Sequence, residues 1–105
     1  METITLSDKE PEFTITGREE KMSMEILKVT LKEPVNEHLQ LIISDENGFL
    51  IYSKMLIPEP QHPNAVLESP YPEVAVNKRF IFSAFLKVTI GAPSGSSFTA
   101  EVHFV

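Results

Sequence analysis

The feature that most constrains this fold is a two-residue alternation of apolar and polar side chains, which recurs in short runs along the chain. In the last eight residues, FTAEVHFV, apolar side chains occupy every second position from Phe98 to Phe104. Successive side chains of a β-strand point to opposite faces, so this period is that of a strand with one buried face. No window of about ten residues keeps a 3.6-residue apolar period while avoiding Pro and Gly, as a helix requires. The sequence therefore predicts an all-β protein.

The same alternation predicts seven further strands, over residues 3–7, 12–16, 18–32 (with a turn at 17–20 as an option), 37–44, 49–57, 73–76 and 79–90. The run 79–90 is the strongest, because six apolar side chains share one face over twelve residues. Residues 18–32 would also tolerate a helix by propensity, but their second half alternates and favours a strand. The tetrad DENG at 45–48 separates two apolar runs, and an Asn-Gly pair readily forms a hairpin turn.

Seven or eight short strands with turn signals between them favour an antiparallel β-sandwich, of which the jelly roll is one form. An open β-barrel is the alternative. With 105 residues the chain is expected to be one domain, 1–105, in which residues 1–12 form either a flexible arm or an edge strand. Five of the eight prolines lie between 58 and 72, which predicts a long irregular connection there.

Composition argues against several classes of protein. The chain has 9 basic and 15 acidic residues, a net charge of −6, and nucleic-acid binding normally needs a basic patch. No apolar stretch approaches the roughly 18 residues of a membrane-spanning helix. The N-terminal residues do not resemble a signal peptide, so we expect synthesis in the cytoplasm. The absence of Cys excludes a thiol nucleophile and a Cys-ligated zinc site.

The sequence shows no motif of an enzyme, and we expect no catalytic residue, metal or cofactor. No Gly-x-Ser-x-Gly elbow or phosphate-binding loop occurs. His38, His62 and His103 fall on different predicted elements without the His-x-His spacing of a metal site. A small jelly-roll metalloenzyme built from them is a third hypothesis. The acidic tip at 45–47 could bind calcium, although such residues usually just form a turn.

Several predicted strands carry apolar residues on both faces. In residues 22–32, Met22, Met24 and Ile26 fall on the face opposite Leu27, Val29 and Leu31, and Ile42, Ile51, Ile81 and Phe85 oppose the main apolar sets of their strands. Such strands either lie in the middle of a sandwich or contribute to a subunit interface, and the interface is slightly favoured. The candidate interface residues are Met22, Met24, Ile26, Pro58, Pro60, Pro63, Tyr71 and Phe85.

From about residue 24 to residue 105 the chain resembles small β-sandwich accessory proteins of the heads and tails of tailed bacteriophages. The segments that carry the resemblance are EILKVTL at 25–31, LQLIISDENGFLIYS at 39–53 and FLKVTIG at 85–91, followed by a small-residue loop and a terminal apolar strand. The resemblance implies a non-enzymatic virion structural protein, for capsid decoration or as a head–tail or tail accessory. Its partner would be a capsid or tail protein, and it would self-associate as a trimer or hexamer.

The alternative hypothesis is an adhesion or carbohydrate-binding β-sandwich module. Carbohydrate-binding sandwiches display exposed aromatic side chains, and this chain offers only Tyr52 and Tyr71 as tyrosines and no Trp. That hypothesis predicts that one of the two tyrosines lies in a groove.

Overall fold

A computed structural model describes residues 2–16, 22–32, 38–57, 72–93, 95 and 97–105, with only the backbone of Met22. The described residues form eight β-strands and no helix, as the alternation predicts. The strands are β1 (Glu2–Ser7), β2 (Glu12–Thr16), β3 (Met22–Leu31), β4 (Leu39–Ser44), β5 (Leu50–Leu56), β6 (Glu73–Phe82), β7 (Phe85–Gly91) and β8 (Thr99–Phe104).

The strands form two four-stranded sheets, with order β1-β8-β3-β6 in sheet A and β2-β7-β4-β5 in sheet B. Every pair is antiparallel, and the pairing is nested: β1 with β8, β2 with β7, β3 with β6 and β4 with β5. This nested pairing of eight strands over two sheets is the jelly-roll arrangement, so the predicted antiparallel sandwich is confirmed. Strand β1 is an edge strand, the second of the two forms expected for the N-terminal segment.

The core lies between the sheets and is built from alternate residues of the strands. In β8, Ala100, Val102 and Phe104 are buried, and Phe98 is buried just before the strand, as predicted. Two aromatic pairs join the sheets at opposite sides of the sandwich. Phe13 of β2 stacks on Phe104 of β8 with 6.1 Å between the ring centroids. Tyr52 of β5 contacts Phe80 of β6 edge-on with 5.6 Å between the ring centroids.

The prediction that strand β3 is apolar on both faces is wrong. Its register shifts between Ile26 and Lys28, so that Leu27 is an extra residue relative to β8. A β-bulge of this kind changes the parity of the strand. Met24 and Ile26 before the bulge and Val29 after it therefore all face the core, with Ile26 and Val29 fully buried.

The predicted strand over 79–90 is two strands in different sheets. Phe82 ends β6 in sheet A, Ser83 and Ala84 are exposed in a turn, and Phe85 begins β7 in sheet B. A two-residue turn preserves the even spacing, so Phe80 and Phe82 before it and Leu86 after it all face the core. The alternation therefore continues through the turn and conceals it in the sequence.

The predicted hairpin turn at 45–48 is confirmed. The Asp45 carboxylate oxygen Oδ1 accepts hydrogen bonds from the backbone N–H groups of Asn47 and Phe49, both at 2.9 Å. Gly48 has φ of 81°, a left-handed conformation that favours glycine. The acidic side chain therefore stabilises the turn between β4 and β5 by an Asx-type arrangement.

Candidate protein-interaction surface

The described residues contain no group of three or more His, Cys, Asp or Glu side chains placed to hold a metal ion. His103 lies between two hydroxyl groups, with Nδ1 3.1 Å from Thr3 Oγ1 and Nε2 2.9 Å from Thr30 Oγ1. His38 is exposed, and His62 lies outside the described residues. The described residues form no helix that is long and apolar enough to cross a membrane.

The outer face of sheet A, here the charged face, is covered by ion pairs between neighbouring strands. Lys28 Nζ lies 3.2 Å from a Glu73 carboxylate oxygen, Lys32 Nζ 2.7 Å from Glu101, and the Arg79 guanidinium 3.9 Å from Glu25. His103 and its two threonine partners lie on this same face. Charged, hydroxyl and imidazole groups therefore dominate this face, to which β6 also contributes the exposed side chain of Ile81.

The outer face of sheet B, here the neutral face, has a different composition. Its members follow from the register, which pairs Gln40 with Met55, Ile42 with Ser53 and Thr89, and Phe85 with Thr16. The ion pair between Glu12 and Lys87, at 3.1 Å, is the one recorded between described residues of this face. The neutral face therefore consists largely of uncharged side chains: Thr14, Thr16, Gln40, Ile42, Ser53, Met55, Phe85 and Thr89.

Exposed apolar side chains concentrate at one edge of sheet B. Phe49, Leu50, Ile51, Met55 and Ile57, here the β5 patch, are between 46% and 68% exposed and lie within nine consecutive residues in and beside β5. Beyond this patch, the other large exposed apolar side chains of the described residues are Ile81 and Val105. Concentrated apolar exposure on a small domain marks an interaction site. The β5 patch shares Met55 with the neutral face and extends it along the β5 edge, so the two together form the candidate surface.

One residue of β5 limits how its free edge can pair. Lys54 is opposite Leu41 in the register, and Leu41 is fully buried, so Lys54 lies on the core-facing side of the edge strand. Inward-pointing charges on edge strands disfavour the addition of further strands. Contact through side chains is therefore favoured over open-ended strand addition at β5.

The structure separates the eight predicted interface residues into three groups. Met24 and Ile26 are 4% and 0% exposed, so their assignment to an interface is wrong: the bulge at Leu27 turns them into the core. Phe85 is half-buried on the neutral face, and its role stays a prediction. Pro58, Pro60, Pro63, Tyr71 and the side chain of Met22 lie outside the described residues.

Sequence reasoning found part of the surface and missed part of it. Ile51 and Ile81 were expected opposite the core-facing sets of their strands, and both are exposed. Phe49, Leu50 and Met55 were assigned to a predicted strand but not to a surface. The sequence does contain a signal for their exposure. The run from 49 to 57 has a single charge and more large apolar residues than one buried face can accept.

A pocket opens at the end of the sandwich where the β4–β5 turn meets the β6–β7 turn, and we call it the tip pocket. Its volume is about 270 Å³. Phe82 and Leu86, both buried, form its apolar floor, and the exposed side chains of Ile51 and Ile81 form its walls. Its polar lining comes from Asp45, Glu46 and Ser83.

No protein-family model and no curated protein matches this sequence. A solved structure with a similar fold is the core of Drosophila NLP, whose crystal structure is described as giving insight into pentamer formation and histone binding. The two superpose with a TM-score of 0.60, and the likeness covers 99% of this chain and 96% of that chain at 14% sequence identity. At this identity the likeness shows the shared β-sandwich fold.

These findings correct the functional prediction. A virion structural protein with a capsid or tail partner is contradicted, because the similar structure is that of a histone-binding core and no phage component. Tyr52 does not support the carbohydrate-binding alternative. Its ring packs edge-on against Phe80, and Lys78 Nζ lies 5.9 Å from the centroid of the Tyr52 ring. The resemblance to phage accessory proteins, and a location in a virion, stay predictions that no comparison tests.

Proposed function

We propose that this protein is a non-enzymatic, self-associating β-sandwich that binds basic proteins of the histone class. The observation that carries the proposal is the likeness to the NLP core, which extends over nearly the whole of both chains. A likeness of this extent means that the two proteins share a β-sandwich fold, which offers comparable outer sheet faces for contacts with subunits and partners.

The charge of the chain supports a basic partner. The net charge is −6, which favours and accelerates association with a positively charged protein. Four strand carboxylates, those of Glu12, Glu25, Glu73 and Glu101, are held in ion pairs within the chain. The acids of the β4–β5 turn have no such pair recorded among the described residues, so they are available to a partner.

The candidate surface supports self-association. Interface centres are depleted of charged residues, as the neutral face is. A stable contact buries about 800 Å² on each partner. A seven-residue edge strand, about 23 Å long, cannot supply this area alone, so the neutral face and the β5 patch would be buried together. The NLP core favours a pentamer over the trimer or hexamer expected from the sequence.

Two measurements test the proposal. Light scattering on a size-exclusion column over a hundredfold dilution should give a mass near five times the 11.8 kDa of one chain. Fluorescence anisotropy should show saturable binding of labelled core histones at about 0.15 M salt, weakening as salt rises because the attraction is electrostatic. A monomer at every concentration would contradict the self-association, and histone binding no stronger than that of an acidic control protein would contradict the partner.

A further inference from the structure

The tip pocket combines two chemistries that one kind of ligand satisfies. Its floor and walls are apolar, whereas Asp45 and Glu46 from the β4–β5 turn add carboxylates to its lining. Lysine and arginine side chains have the matching pattern, because an apolar stem of three or four methylene groups carries a cationic head. A neutral apolar ligand would leave the carboxylates unpaired, and a compact cation would leave the apolar walls unused.

The size of the pocket fits one side chain. Sites for drug-sized ligands and cofactors typically occupy about 300–1,000 Å³. The tip pocket, at about 270 Å³, lies below this range, and it opens at the end of the sandwich between two turns. An extended chain passing over this end could therefore insert one long side chain between Ile51 and Ile81.

The carboxylates are prepared to receive a cation. Asp45 is held in place by the backbone N–H groups of Asn47 and Phe49, which bind its Oδ1 atom. Glu46 is exposed, and within the described part of the chain neither acid takes part in an ion pair. Among the described residues that line the pocket, the ionisable side chains are both acidic. A positioned acceptor costs less to order on binding than a mobile one.

We propose that the tip pocket binds a lysine or arginine side chain from an extended basic segment of the protein partner. The apolar stem packs between Ile51 and Ile81 over Leu86, and the cationic head meets the carboxylates of Asp45 and Glu46. This proposal rests on the proposed function, since it assigns a site to the basic partner. The basic partner is thus assigned to the tip pocket, and the contacts between subunits are assigned to the neutral face.

The decisive variant is Ile81→Arg. Ile81 is 67% exposed, so the substitution should leave the fold intact while it places a guanidinium at the mouth of the pocket. Its matched control is Ala75→Arg, which adds the same charge at an exposed position of the same strand β6. Anisotropy titration of labelled core histones should show binding at least about fivefold weaker for Ile81→Arg than for Ala75→Arg. A fivefold change in affinity corresponds to the largest contribution that one accessible ion pair makes. The loss of apolar contact with Ile81 would add to it.

A second pair of variants removes one carboxylate without filling the pocket. Glu46→Gln should weaken histone binding about two- to fivefold, and Glu10→Gln, at an exposed acid remote from the pocket, should weaken it less. A synthetic histone-tail peptide should shift the backbone amide NMR signals of residues 45–51 and 81–86. The same peptide with every lysine acetylated and every arginine replaced by citrulline keeps the stems without the charges, and should not shift them.

The outcomes separate this proposal from the function on which it rests. If wild-type protein binds histones and Ile81→Arg binds them as Ala75→Arg does, the pocket assignment is overturned while the proposed function stands. If wild-type protein does not bind histones, both are overturned. If Ile81→Arg lowers the mass measured by light scattering while Ala75→Arg does not, the pocket is a contact to a second copy of the chain, and the assignment to a basic partner is overturned.

Discussion

The two outer faces of the sandwich are built from strands of the same period but differ in chemistry. On the charged face, Lys28 with Glu73 and Lys32 with Glu101 form pairs between adjacent strands. On the neutral face, Met55 lies opposite Gln40 and Phe85 opposite Thr16. Ion pairs dominate the first arrangement, in which Ile81 is the exposed apolar side chain of β6, whereas the second consists mainly of uncharged side chains and borders five exposed apolar residues. This difference is the reason why the proposed self-association is assigned to the neutral face and not to the charged face.

The bulge in β3 decides which side chains of that strand reach the charged face. A substitution at a core residue beside it should have the largest effect on stability. Ile26 and Lys28 are two residues apart, yet the bulge sends one to the core and the other to the charged face. Ile26→Ala should lower the free energy of unfolding by about 3 kcal/mol, because it leaves a cavity among fully buried neighbours. Urea denaturation at fixed protein concentration measures this. The exposed control Ile81→Ala should change stability by less than about 0.5 kcal/mol. Equal effects would place Ile26 outside the core.

A charge introduced on either face tests which one is an interface. Leu50→Lys with Met55→Lys, both in the β5 patch, should reduce the mass from light scattering to that of one chain. Each ammonium would be desolvated in the contact, and interface residues of this kind can contribute about 2 kcal/mol or more. Thr3→Lys with Thr5→Lys adds the same charge on β1 of sheet A and should leave the mass unchanged. Dissociation by the β1 pair alone would reverse the assignment of the two faces.

The turn that joins β4 and β5 positions the edge of the neutral face, and Asp45 holds that turn. Asp45→Ala removes both hydrogen bonds to the backbone and should destabilise the protein by about 1–2 kcal/mol. Asp45→Asn keeps an oxygen acceptor and should recover most of this loss. Thermal unfolding monitored by circular dichroism measures both variants. An unchanged midpoint for Asp45→Ala would show that the carboxylate does not stabilise the turn.

The charged face should give the smallest effect. Lys28 and Glu73 are each about one-third exposed, so solvent screens their attraction. Glu73→Gln should lower the free energy of unfolding by about 0.5 kcal/mol or less. A double-mutant cycle with Lys28→Met isolates the pair from other effects of each substitution. A coupling of several kcal/mol would mean that this face is shielded from water, as a covered surface would be.

Much of the fold was predictable because strand periodicity is local. The boundaries of β2 and the buried positions of β8 match the alternation residue by residue, and the acidic turn at 45–48 falls where its composition places it. The continuous strand predicted over 79–90 was wrong for a physical reason. A two-residue turn preserves parity, so periodicity alone cannot distinguish one long strand from two strands in different sheets.

The candidate surface was less predictable. Ile51 and Ile81 could be identified as lying opposite the core, because each breaks the alternation of its own strand. Their joint position in the tip pocket depends on β5 and β6 being edge strands of facing sheets, on the same side of the sandwich. Met24 and Ile26 carried the same sequence signal as Ile51, and the bulge at Leu27 reversed its meaning.

Strand period, turn composition and net charge are set by neighbouring residues, so the sequence alone predicted an acidic antiparallel β-sandwich of seven or eight strands with a hairpin turn at 45–48. The division of the apolar residues between core and surface, in contrast, emerges from the folded strands. That division depends on strand order and on register shifts, which arise from pairing between residues far apart in the chain. The contrast between a charged face and a neutral face therefore becomes visible only when the eight strands are assembled.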